Sequence, residues 1–169
     1  MSRDQETFFN SLVADYSERL YWHVRSLVGS HEDADDLMQD IYIKVWQALP
    51  RFRGDSAPFT WLWRIATNET LSFLRKKRVR AFFSPESLGP ESGKVAGDAA
   101  PFPGDEAERK LAAAIEALPD RQRSVFCMRY YEDLSYEDIS RITGTSVGAL
   151  KASYHFAQQK VKDYLSETD

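Results

Sequence analysis

Three runs of this 169-residue chain carry side chains whose types and spacing suit binding rather than bond-making. From Arg64 to Arg80 there are six basic side chains and one acid. Within that run Arg64, Asn68, Leu71, Arg75 and Arg78 step by four, three, four and three, which aligns them along one side of an α-helix. A strip of cations at this spacing can follow a phosphate backbone, with an affinity that falls steeply as salt rises. Arg53 lies in the preceding loop, RFRGDSAPF, and Trp61 and Trp63 open the helix. Aromatic rings beside basic groups can stack unpaired bases, although rings in such places also commonly belong to a core.

The run from Glu32 to Asp40 has the opposite character, with five acids and no base. At helical spacing Asp36, Gln39, Asp40, Ile43 and Gln47 share a face turned away from the apolar stripe. Such a face repels DNA and complements a basic protein surface. It is not a metal site by pattern: Glu32, Asp33, Asp35 and Asp36 point in different directions on a helix, and no glycine-turned calcium loop is present. The third run is the last helix. Val147, Leu150, Tyr154, Ala157, Val161 and Leu165 form its inward face, which leaves Gly148, Ala149, Ala152, His155, Phe156 and Gln159 outward. Short residues there allow close approach to a duplex. His155 and Gln159 can hydrogen-bond base edges, Ala152 can meet a thymine methyl, and Lys151 flanks the face as a phosphate contact. Ser146 caps the start of this helix.

The elements that must hold these residues are all helical. Phe9, Val13, Tyr16, Leu20, Val24 and Leu27 define a first helix running to about Val28, and Gly29 ends it. Ser30, with Asp33 three residues on, starts a second whose apolar face is Ala34, Leu37, Met38, Ile41, Val45 and Ala48. A third is expected after Pro58 with Thr60 as its cap. Asp105 and Glu108 begin a fourth helix, Pro119 separates it from a fifth, and Ser135 starts a short sixth that Gly144 stops. Two helices joined by about four residues with a central glycine make a helix-turn-helix. Residues 81–105 hold four of the seven prolines and four of the eight glycines with no helical period, which predicts a linker. Its GPESGKV is one residue short of a phosphate loop and has Val95 where Ser or Thr is needed. The expected fold class is therefore all-α: two small helical domains, 1–80 and 106–169, joined by a flexible linker, the second with the helix-turn-helix.

Composition narrows the function. Formal charge is −4, but residues 1–80 carry twelve basic and eleven acidic side chains, so the average hides a bipolar first domain. One cysteine rules out an internal disulfide, and three scattered histidines assemble no zinc set; no metal and no cofactor are expected. There is no nucleophile elbow, no paired His and Cys and no HExxH, so no enzyme is expected. The N-terminal MSRDQETFFN lacks the basic start and apolar run of a signal peptide, and no apolar span suits a membrane, which predicts a cytoplasmic protein without membrane insertion.

Taken together, DADDLMQDIYIKVWQALPRFRGDSAPFTWLWRIATNETLSFLRK, the proline-rich spacer and IEALPDRQRSVFCMRYYEDLSYEDISRITGTSVGALKASYHFAQQKV resemble an extracytoplasmic-function sigma factor, the minimal two-domain class of bacterial transcription initiation factor. The resemblance implies roles for the three runs. The helix matching Asp35–Trp46 would dock on the clamp of core RNA polymerase, through Asp36, Gln39, Asp40 and Ile43. The loop matching Arg51–Phe59 and the helix matching Trp61–Arg78 would engage the minus-ten element and the nontemplate single strand, through Arg53, Trp61, Arg64, Asn68, Arg75 and Arg78. The helix-turn-helix would read the minus-thirty-five duplex, through Ser146, Lys151, Ala152, His155 and Gln159. The spacer would thread toward the RNA exit path, and an anti-sigma factor is an expected partner. Where the family usually has arginines on the last helix, Ser153, Phe156 and Gln158 stand here. Two readings compete with this one: a helix-turn-helix regulator that never joins polymerase, and a helical adaptor or enzyme of another kind.

Overall fold

Local hydrogen bonds at the helix ends decide where the elements begin. In the computed structural model, which describes residues 2–83 and 104–167, these elements are α1 (Arg3–Leu27), α2 (His31–Ala48), a 3-10 turn (Leu49–Arg51), α3 (Pro58–Phe83), α4 (Glu106–Glu116), α5 (Asp120–Tyr130), α6 (Tyr136–Thr143) and α7 (Val147–Glu167). The all-α expectation holds. Ser2 and Gln5 form a reciprocal capping box on α1. The hydroxyls of Ser30, Ser135 and Ser146 accept from the backbone N–H three residues on, at 3.1, 3.0 and 3.2 Å, and Asp105 does the same with a carboxylate at 3.0 Å.

Thr60 is not the cap of α3. The Trp61 N–H already donates to the Ala57 carbonyl, so the helix starts at Pro58, whose missing N–H and preset φ suit the first position. Thr60 is buried inside the first turn instead. At its far end α3 continues through 81–83. The rest of the stretch expected to be a linker, 84–103 with GPESGKV in it, lies outside the described residues.

Gly144 closes α6 with φ 74°, and its N–H donates to the Ser140 carbonyl at 2.8 Å. A Cβ there would meet nothing within 4 Å, so backbone strain alone sets the effect of a substitution. Gly144→Ala is expected to destabilise the protein by about 1 kcal/mol and lower Tm by about 2–4 °C, read by thermal denaturation.

α1, α2 and α3 pack around Leu20, Val24, Leu37, Ile41, Val45, Leu62 and Ala66, with Trp63 fully buried between Tyr16 and Phe59. α4, α5 and α7 enclose Ile115, Leu118, Phe126, Ala157 and Val161. The apolar faces do not stop at the boundary between these units. Val125 and Met128 of α5, Ile139 and Ile142 of α6 and Leu150 of α7 join the first cluster, while Leu27 of α1 joins the second. α5 and α6 thus lie directly on α1 and α3, with burial of apolar side chains holding the two halves together.

Candidate nucleic-acid and protein interfaces

α2 presents Asp36, Gln39, Asp40 and Ile43 to solvent on one face, Ile43 with 55% of its surface exposed. Ala34, Leu37, Ile41 and Val45 are buried opposite, so the amphipathic register alone aims the four outward. The half-exposed Trp46 extends this face and is held edge-on by Phe9, at 5.1 Å between ring centroids. Two ion pairs fasten α2 to α3, Lys44 to Glu69 at 2.5 Å and Lys77 to Asp33 at 2.7 Å.

On α3 the structure places Arg64, Asn68, Arg75 and Arg78 along one exposed side, with Leu62, Ala66 and Thr70 buried behind them. Arg53 is exposed in the loop before it, next to Gly54, whose φ of 76° turns the chain in a conformation that favours glycine. Trp61 is half-buried against Phe52, at 4.6 Å between centroids, and Phe52 in turn stacks on Phe8. The loop is therefore backed by a short aromatic stack anchored on α1. Trp63 belongs to the core.

The strip is less free than its spacing suggests. Arg64 Nη2 donates to the Arg141 carbonyl of α6 at 2.6 Å, and Arg78 pairs with Asp120 at the start of α5. The second unit therefore engages two of the strip's cations. Glu132, in the turn after α5, completes this junction, and nothing in the residues around it marks it out. Its Oε2 faces His23 Nδ1 at 2.6 Å and its Oε1 accepts from Trp63 Nε1 at 2.9 Å, while His23 Nε2 lies 3.0 Å from the Thr67 hydroxyl. Partners 109 residues apart leave no local signature.

In the helix-turn-helix, Gly148, Ala149, Ala152, His155, Phe156 and Gln159 face outward as expected, whereas Leu150, Ala157 and Val161 are buried. Ser146 serves the backbone as the cap of α7. Lys151 is exposed, with its ammonium 5.8 Å above the centre of the Tyr136 ring, and Gln159 donates to Asp163 at 3.2 Å. Behind this face Cys127 is fully buried on α5. Desolvation pushes its thiol up to about 12, and its Sγ–H points at the Ser26 carbonyl of α1 at 3.7 Å. It is a structural thiol with negligible thiolate at neutral pH. Among the described residues no three His, Cys, Asp or Glu side chains gather as a metal set, and no helix is long and apolar enough to cross a membrane.

An acidic face on α2 beside a basic one on α3, with a helix-turn-helix whose first helix packs on α3, is the layout of a promoter-recognition factor. Residues 12–80 match the model for Sigma-70 region 2 and residues 108–161 that for Sigma-70, region 4. The chain is 30% identical to the RNA polymerase sigma-H factor of Pseudomonas aeruginosa, over 95% of this chain and 88% of that one. It is likewise 30% identical to the ECF RNA polymerase sigma-E factor of Escherichia coli K12, with the same coverage. Among solved structures, the sigma factor RpoE of Bartonella quintana, in complex with the anti-sigma factor NepR, superposes with a TM-score of 0.73 at 26% identity, covering 94% of this chain and 96% of that one. The fold is shared also with CnrH, solved with the cytosolic domain of CnrY, at a TM-score of 0.70 and 22% identity over 97% and 91% of the two chains. The chain belongs to the extracytoplasmic-function sigma factors of bacterial RNA polymerase.

Proposed function

We propose that this sigma factor binds core RNA polymerase through the exposed face of α2 and lends it promoter recognition and melting through α3 and the helix-turn-helix. One observation carries the reading: two neighbouring helices, fastened by ion pairs, expose faces of opposite charge. One polyanion cannot satisfy both, so the surface asks for a basic protein partner and a nucleic acid together. Asp36, Gln39, Asp40 and Ile43 form the polymerase-docking set. Arg64, Asn68, Arg75 and Arg78, with Arg53 and Trp61 at the loop, take the minus-ten element and the separated nontemplate strand. Lys151, Ala152, His155 and Gln159 read the minus-thirty-five duplex from a helix capped by Ser146.

In this reading residues 1–80 and 106–169 are the two functional domains and 81–105 connects them. The protein contributes no covalent chemistry of its own and works in the cytoplasm. The solved sigma factor of Bartonella quintana, complexed with an anti-sigma factor, supports an anti-sigma factor as a further partner. The test is reconstitution: core polymerase alone should give no promoter-specific transcripts from genomic templates, and adding the chain should create defined start sites. Templates that stay silent, or starts unchanged from core alone, would defeat the proposal.

A further inference from the structure

We propose that Phe156 is a specificity-determining residue of the helix-turn-helix, reading the C5 methyl of a thymine in the major groove of the minus-thirty-five duplex. The proposal rests on the reading of α7 given above and names what one further side chain of that face recognises. Phe156 is 59% exposed, whereas Ala157 beside it is fully buried. It stands four residues after Ala152 and seven after Ala149, on the side that α7 turns away from the buried Leu150, Ala157 and Val161. Helical side chains lean toward the N-terminus, so the ring extends over the turn that holds Ala152 and Ser153, whose short side chains leave it bare. The His155 imidazole flanks it edge-on, at 5.9 Å between ring centroids.

A phenyl ring has neither a charge for a phosphate nor a hydrogen-bonding group for a polar base edge. In the major groove the apolar group that tells one base pair from another is the thymine C5 methyl, which makes it the complement of this ring. Two neighbours on the same face already hold partners within the chain: the Lys151 ammonium lies 5.8 Å above the centre of the Tyr136 ring, and the Gln159 amide donates to Asp163 at 3.2 Å. Both must leave those partners to reach DNA, whereas a hydrocarbon ring has no hydrogen bond to give up. Along the helix axis Ala152 and Phe156 are about 6 Å apart, close to two base-pair rises of about 3.4 Å. Where α7 follows the groove, the two residues therefore address methyls on separate base pairs.

The probe is a short randomised duplex, selected on the complex of the full chain with core RNA polymerase. Each thymine of the selected site is then replaced in turn by deoxyuridine, which removes the C5 methyl and keeps the base pair. With the unaltered chain one such replacement should weaken binding about fourfold, the effect of burying a single methyl-sized group. In Phe156→Ala, which removes an exposed side chain and opens no cavity, the same replacement should have no effect, and Phe156→Leu should restore part of it. Because the ring releases no counterions, the affinity lost in Phe156→Ala should be the same at low and high salt, whereas Lys151→Ala should lower the log–log salt slope by about 1. Deoxyuridine effects that are the same in Phe156→Ala as in the unaltered chain would overturn the proposal. So would a Phe156→Ala chain that binds the selected duplex as tightly as the unaltered one; either result leaves the duplex reading of α7 standing. Selection that enriches no duplex would instead overturn that reading, and the role of Phe156 with it.

Discussion

Replacing Asp36 and Asp40 together by alanine should weaken binding to core RNA polymerase about thirtyfold while leaving the fold intact. Both side chains are exposed on α2, and alanine favours helix more than aspartate does, so the substitution removes charge without opening a cavity. Exposed ion pairs at an interface contribute about 1 kcal/mol each, and two together correspond to the stated loss. Because screening weakens such pairs, the difference between variant and unaltered chain should shrink as salt is raised. Titration of labelled protein with core enzyme at two salt concentrations measures this directly. Equal affinity at low salt would remove α2 as the docking face.

Arg64→Ala combined with Asn68→Ala should have the complementary effect, slowing promoter opening by about ten- to hundredfold with core affinity unchanged. Arg64 and Asn68 sit one helical turn apart on the exposed side of α3, backed by buried Leu62 and Ala66, so no core contact is disturbed. Loss of one phosphate contact should also lower the log–log salt slope of strand binding by about 1. Reactivity of unpaired thymines in the polymerase–promoter complex reports the melted state. Arg64 has a second partner in the Arg141 carbonyl, so in the free protein the same variant should loosen the packing of α6 on α3 even as it weakens the grip on DNA.

Signals that act within one turn of chain are legible in the residues themselves. Ser30, Asp105, Ser135 and Ser146 each cap the helix they announce, and Gly144 stops α6 in the left-handed region. The amphipathic registers of α2 and α7 likewise point the expected residues outward. Thr60 misleads because a proline at the first position moves the start of α3 three residues earlier, from Trp61 to Pro58. Long-range partners are beyond the reach of such signals. Nothing local in YYEDLS says that Glu132 answers His23 and Trp63, and the step pattern of α3 cannot tell a solvated arginine from one bonded to a carbonyl 77 residues away. Helical periodicity reports which side of an element is apolar; it does not report which neighbour covers that side.

The ion pairs Lys44–Glu69 and Lys77–Asp33 bear on inheritance as much as on geometry. In the proposed reading they and the apolar packing between α2 and α3 join docking plate and strand guide, so whatever angle the plate adopts on its seat, the guide inherits. A graft that exchanged only the plate between relatives would keep its affinity for the seat and misaim the guide. Donor segments for such chimeras should therefore run unbroken from Ser30 through Arg80.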